Sequence, residues 1–173
     1  MASFAIPDDL YLACKAHFTG EVEQAGFFLA ESADDGQFSM QEWRPLRPET
    51  LQAQEKHYLE LVESARADVI RWAWEAGLCL VEVHSHIGWP IAAFSCSDIH
   101  GFDEWVPHLW WRLSGRPYAA MVLAGDTFDA LAWITGPRTP EQVQFIHLAS
   151  GSVSKATGAT LQSSCLPSAY RHV

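Results

Sequence analysis

Basic residues are scarce in this chain. Lys and Arg number 11 against 21 Asp and Glu, for a net charge of −10 at pH 7 with His neutral. So few cations displace few counterions from a phosphate backbone, and no nucleic-acid partner is expected. The same balance speaks against docking on an anionic membrane. Long apolar runs are missing too, and none approaches the length that spans a bilayer. The opening MASFAIPDDL lacks a basic stretch followed by an apolar one, so no signal peptide is expected. The four cysteines (Cys14, Cys79, Cys96, Cys165) form no C-x-x-C pair, and reduced thiols are the expectation. Internal repeats and low-complexity blocks are absent. These absences point to a cytoplasmic location.

What remains is an ordinary globular composition. The chain has 173 residues, 49% hydrophobic and 18% charged, enough for one domain around one sizeable core. The domain is placed at residues 1–150, with a polar Ser/Ala/Thr/Gly-rich tail over 151–173. Eight Trp and eight His stand out, and so many Trp imply a core or an interface rich in large aromatics.

The apolar pattern alternates between two periods. Strands are expected over 9–16, 25–30, 38–46, 78–86, 118–124, 128–135 and 143–148. Asp34-Asp35-Gly36 and Gly125-Asp126 mark hairpin turns. Over 49–76 the residues Leu51, Tyr58, Leu61, Val62, Ala65, Val69, Trp72 and Ala73 recur at three- and four-residue steps, which predicts a helix stopped by Gly77. A second helix is expected after Ser95-Cys96-Ser97-Asp98, running to about 113 and closed by Gly115. The mixed order predicts an α/β (α+β) domain around one central sheet.

The chemistry-bearing stretch is His84-Ser85-His86 followed by Ser95-Cys96-Ser97-Asp98. Residues two apart on a strand share a face, so His84 and His86 present two imidazoles together. Two imidazoles and a carboxylate suit zinc, and Asp98 is the candidate third ligand. Three protein ligands leave a fourth position for water, which is the mark of a catalytic zinc. Each piece also has a plainer reading. The His pair can be partly buried polar residues at a strand end. Ser95-x-x-Asp98 can be a capping box at a helix start. His100 reads as a surface helix residue, because a fourth protein ligand would block the water.

Together, His84-Ser85-His86, a short loop, Phe94-Ser95-x-x-Asp98 and an upstream Glu23-x-x-Gly26 resemble the JAMM/MPN (JAB-domain) metalloprotease family. The family's signature is a Glu at an early strand, then H-[ST]-H, then S-x-x-D. The resemblance implies a single MPN/JAB-like domain, a curved mixed β-sheet flanked by helices. It implies one zinc with a catalytic water, held by His84, His86 and Asp98. Glu23 matches the general acid/base acting on that water, and Ser95 matches the hydroxyl that stabilises the oxyanion. Glu21 is the alternative to Glu23, which is preferred because it stands three residues before Gly26. Two departures stand out: eight residues, Ile87 to Phe94, separate His86 from Ser95 where seven are usual, and Ile87 replaces the Pro that often follows the second His. Trp89, in that loop, is a candidate for lining the substrate groove.

The activity the resemblance implies is that of a zinc metalloisopeptidase, cutting the amide after the C-terminus of a ubiquitin-like protein. The small, Trp-rich form is similar to bacterial JAB proteins associated with ubiquitin-like, E1-like and E2-like partners, including in antiviral defence. Three alternatives stay open: maturation of a ubiquitin-fold sulfur-carrier protein, a catalytically inactive MPN scaffold for protein assembly, and an unrelated binding domain in which the His pair is coincidental. The acidic surface suits a partner presenting a basic face.

Overall fold

The computed structural model describes residues 1–55 and 59–163. Strand β1 (Ala2–Ile6) is followed by helix α1 (Asp8–His17), then by β2 (Ala25–Ser32) and β3 (Gln37–Pro45). A small hairpin of β4 (Leu51–Gln54) and β5 (Leu59–Leu61) precedes helix α2 (Glu63–Ala76). Strand β6 (Cys79–Ser85) leads through a loop to helix α3 (Cys96–Arg112). Four strands complete the described residues: β7 (Tyr118–Ala124), β8 (Thr127–Trp133), β9 (Pro140–Leu148) and β10 (Val153–Lys155).

The large sheet closes on itself. Its order is β1-β3-β2-β6-β7-β8-β9, and β1 pairs with β9 as well as with β3. The result is a seven-stranded barrel with three helices, with β10 added along β9. This corrects the expected curved mixed sheet flanked by helices of an MPN/JAB-like domain. The cause is β1, a five-residue segment at the start of the chain with alternating burial, which bridges the two sheet edges by parallel pairing.

Both faces of the wall are buried along β2, β6, β7 and β8, so these strands read as largely apolar runs. One face fills the lumen with residues from all seven strands, including Phe4, Phe28, Phe38, Val81, Met121, Ala130 and Ile146. The other face carries Phe27, Leu29, Leu80, Val122 and Leu131 and packs against Val69 and Ala73 of α2 and Ile99, Phe102 and Val106 of α3. On β6 the two sets alternate, with Val81 and Val83 inward and Leu80 outward. Glu82 and His84 therefore share the outer face, beneath α3.

Two other elements differ from the sequence reading. Residues 9–16, expected as a strand, lie in α1. Leu10, Tyr11, Cys14 and Phe18 sit at helical spacing against the lumen cluster. Asp8 and Asp9 open this helix, and Lys15 and His17 close it, matching its dipole. The helix expected over 49–76 begins only at Glu63, because Leu51, Leu59 and Leu61 pack half-buried against the core from the β4–β5 hairpin instead. Tyr58 of that pattern lies outside the described residues. Gly77 ends α2 as expected, in a left-handed conformation at φ 73°. Within the stretch read as a polar tail, β10 pairs with β9, and Thr160 is buried.

Gly26 of the upstream motif has a packing reason. A Cβ there would lie 2.3 Å from the Trp43 ring and 2.9 Å from the Arg44 carbonyl. Trp43 cannot yield easily, because Phe28 packs against it at 4.6 Å and Phe18 at 6.0 Å. Gly26→Ala is expected to destabilise the fold by about 1–3 kcal/mol through overpacking. Thermal unfolding checks this, and an unchanged midpoint would mean that the strand shifts to make room.

Candidate metal centre

The outer face of β6 presents the two histidines, and each is pinned by backbone bonds. Ala25 of β2 is the cross-strand partner of His84. The His86 N–H donates to the Leu123 carbonyl at 2.8 Å, extending the pairing with β7 past the end of the strand. Ser85, between them, does a different job. Its N–H donates to the Gln24 carbonyl at 3.0 Å, and its Oγ accepts from the Gln24 N–H at 3.1 Å. That double contact holds the segment carrying Glu23 beside the histidines. On its other side, the Glu23 N–H donates to the Glu55 carbonyl, and the Glu23 carbonyl accepts from Gln54 Nε2.

Asp98 arrives from the first turn of α3. Ser95 caps that helix: its Oγ accepts from the Asp98 N–H at 3.1 Å, and Asp98 Oδ2 accepts from the Ser95 N–H at 2.7 Å. The Ser95 hydroxyl also donates to Asp98 Oδ2, at 2.8 Å. The capping-box reading of Ser95-x-x-Asp98 is therefore what the structure shows. It does not compete with a role for Asp98, because the cap aims that carboxylate at the histidines.

The eight-residue loop between His86 and Ser95 is braced rather than slack. Ala92 donates to Thr127 Oγ1 and accepts from Thr157 Oγ1, while the Phe94 N–H donates to Thr160 Oγ1. The buried Asp129 carboxylate in turn accepts from the Gly158 and Thr160 N–H groups. The longer loop thus leaves Asp98 in place.

His86 Nε2 lies 3.2 Å from Asp98 Oδ2, and His84 Nε2 lies 3.6 Å from the same oxygen. Each of the three side chains offers a ligand atom within 4.8 Å of the others, so the group can hold a metal ion. Both histidines are buried, and His84 Nε2 has no hydrogen-bond partner among the described residues. A buried nitrogen left without a partner beside a carboxylate is unfavourable on its own and fits a ligand awaiting a cation. Two imidazoles and one carboxylate are the donor set of a borderline transition metal.

Glu23 stands next to this group without joining it. Its Oε1 is 3.8 Å from His86 Nε2, and the residue is buried at 6% exposure. Burial raises its carboxyl pKa against the pull of His86 and His84, which makes it a better proton acceptor. Glu21 is exposed and does not line the cavity. Trp89 covers the other side, its ring 4.5 Å from that of His86. Phe94 packs on His84 at 5.7 Å. His100 is exposed and stands outside the group. Sequence reading missed Ser85 as the clamp on the Glu23 segment. It also missed Glu82, whose Oε1 is 3.6 Å from His84 Nδ1. The signal for Glu82 is the alternation Glu82-x-His84-x-His86.

Neither free thiol among the described residues is poised for chemistry. Burial pushes the Cys14 thiol up to about 12 and that of Cys79 up to about 11, so neither is a ready nucleophile. Both are free, as expected, whereas Cys96 is disulfide-bonded, which corrects the expectation of reduced thiols throughout.

The site also carries a pH signature. Burial opposes the charge of His84, but the Asp98 carboxylate and Glu82 outweigh it and raise its pKa. Burial likewise opposes the Asp98 charge, and the two histidines outweigh it and hold its carboxyl well below the usual range. Below the raised His84 pKa a proton occupies the ring that a metal needs, so uptake must release it. Apparent metal affinity is expected to climb about tenfold per pH unit, continuing above the ordinary histidine range. Competition titrations at several pH values check this, and a flat profile from pH 6 to about 8 would contradict it.

No family model matches the chain, and neither does any curated protein. Solved structures do match, 103 chains in all. Among them is the solution structure of protein DSY2949 from Desulfitobacterium hafniense, at 11% identity and a TM-score of 0.57, over 84% of this chain and 92% of that one. At that identity the likeness shows the fold alone.

Proposed function

We propose that this protein is a zinc-dependent hydrolase of amide bonds, acting as an isopeptidase on the C-terminal tail of a ubiquitin-like protein. The observation that carries the hydrolase reading is the convergence of His84, His86 and Asp98 in a buried pocket, with the carboxylate of Glu23 alongside. Bound there, zinc would supply a Lewis acid that polarises a carbonyl and lowers the pKa of water toward neutrality. Glu23 is placed to accept a proton at Oε1 and to return it to the leaving amine. The Ser95 hydroxyl, which points at Asp98 Oδ2, holds the ligand. An oxyanion role would require it to turn away from that oxygen.

The cavity supports a polymeric substrate. Its volume is about 1180 Å³, and it runs from the histidines past Leu59 and Leu61 of β5, Arg66 of α2 and Trp105 of α3. Pockets for small molecules span about 300–1,000 Å³, so there is room for a stretch of extended chain. Trp89 forms part of the wall beside His86. The motif resemblance, not the cavity, is what favours a ubiquitin-like tail. The test is incubation of the zinc-loaded protein with a panel of ubiquitin-like fusions, including a sulfur-carrier type, with and without chelator. Chelator-sensitive cleavage after the last residue of the ubiquitin-like part is the expected result. No processing of any fusion at full zinc occupancy would overturn the reading in favour of a scaffold.

A further inference from the structure

The hydrolytic scheme leaves one carboxylate of the site unused. Glu82 precedes His84 by two residues on β6 and shares its face of the strand. Its Oε1 lies 3.6 Å from His84 Nδ1, while the other ring nitrogen, Nε2, faces Asp98. Its Oε2 accepts a 2.7 Å hydrogen bond from the Tyr118 hydroxyl on the neighbouring strand β7. Tyr118 is 1% exposed, and its ring is held in the core beneath α3, 5.6 Å from that of Trp133. Glu82 itself stands outside the three residues whose ligand atoms converge.

We propose that Glu82 is a positioning residue for the metal centre: anchored by Tyr118, it keeps the His84 proton on Nδ1 and leaves the Nε2 lone pair facing Asp98 and His86. The inference rests on the reading of His84 as a metal ligand. Either nitrogen of an imidazole can take a metal, and the partner of the other nitrogen decides which one does. A small rotation of the ring brings Nδ1 into hydrogen-bond range of Oε1, and the carboxylate then also raises the basicity of the ligating nitrogen. Tyr118 makes the arrangement rigid, because it holds one carboxylate oxygen while the other serves His84. A bond that merely ties β6 to β7 would not require the acid to face a histidine.

The test measures zinc affinity by chelator competition, together with the melting temperature of the metal-free protein. Glu82→Gln keeps an acceptor for Tyr118 but loses the charge facing His84. It is expected to weaken zinc binding by about 10- to 100-fold, a loss that a merely structural contact would not produce. Tyr118→Phe leaves Glu82 in place, removes only its anchor, and is expected to weaken zinc binding by a smaller factor. A lowered melting temperature with wild-type zinc affinity in both variants would make the contact purely structural and overturn the proposal. Failure of the wild-type protein to take up zinc would overturn the ligand reading and this one with it.

Discussion

Glu23→Gln is expected to cut cleavage by about 10²- to 10⁴-fold, the range of a lost general base, while zinc stays bound at one per chain. Gln matches Glu in shape and cannot accept a proton. The contacts that hold this segment run through the backbone of Glu23 and through the Ser85–Gln24 pair, and none of them uses the carboxylate. The substitution should therefore leave the fold intact. It also removes an ionisable group that burial disfavours in its charged form, so the melting temperature should hold or rise. Initial rates on a ubiquitin-like fusion and the zinc content of the same preparation are the two readings needed. Loss of zinc would make Glu23 a ligand, and an unchanged rate would remove it from the chemistry.

The second large effect concerns the ligands. His84→Ala and Asp98→Ala should each lose both stoichiometric zinc and activity. The two differ in what else they disturb. His84 is buried against Phe94, so removing its ring opens a void under α3. Asp98→Ala also breaks the capping box, at a cost of about 1 kcal/mol to the start of α3. Asp98→Asn separates the two roles, since its amide oxygen still accepts from Ser95 while its charge is gone. Zinc content of each folded variant is the measurement, and full occupancy in either alanine variant would remove that residue from the ligand set.

The candidate site was more legible than the fold, for a physical reason. His84, His86 and Asp98 lie within 15 residues on one strand, one loop and one helix start. Strand alternation and the capping pattern place their side chains with little help from the rest of the chain. Glu23 needed a longer reach, and only the motif spacing singled it out from Glu21. Closure of the barrel depends on pairings between β1 and β3 and between β1 and β9, separated by more than 100 residues in the second case, and no local pattern announces them. The segments 9–16 and 49–61 show the complementary failure. Leu10, Tyr11 and Cys14 of the first and Leu51, Leu59 and Leu61 of the second pack against the core, but short runs satisfy strand and helix periods almost equally well, and tertiary packing decides. Pro7 and the paired acids Asp8 and Asp9 were the available signals for α1.

The Trp excess also resolves. Trp105, Trp110 and Trp133 join the packing beneath and along α3, and Trp43 seals Gly26. Trp74, Trp89 and Trp111 remain exposed, and of these Trp89 borders the site. The closed barrel differs from the frame that the motif implied, so the candidate chemistry rests on the site residues and not on fold-level likeness.

The most direct measurement is the zinc stoichiometry of the purified chain, taken by native mass spectrometry before and after dialysis against a chelator and after return of one equivalent of zinc. The expected result is one zinc per wild-type chain, lost on chelation and regained at one equivalent, with no zinc on the Asp98→Ala chain. A wild-type chain that stays metal-free at one equivalent, or an Asp98→Ala chain that loads fully, would contradict a metal centre built on His84, His86 and Asp98.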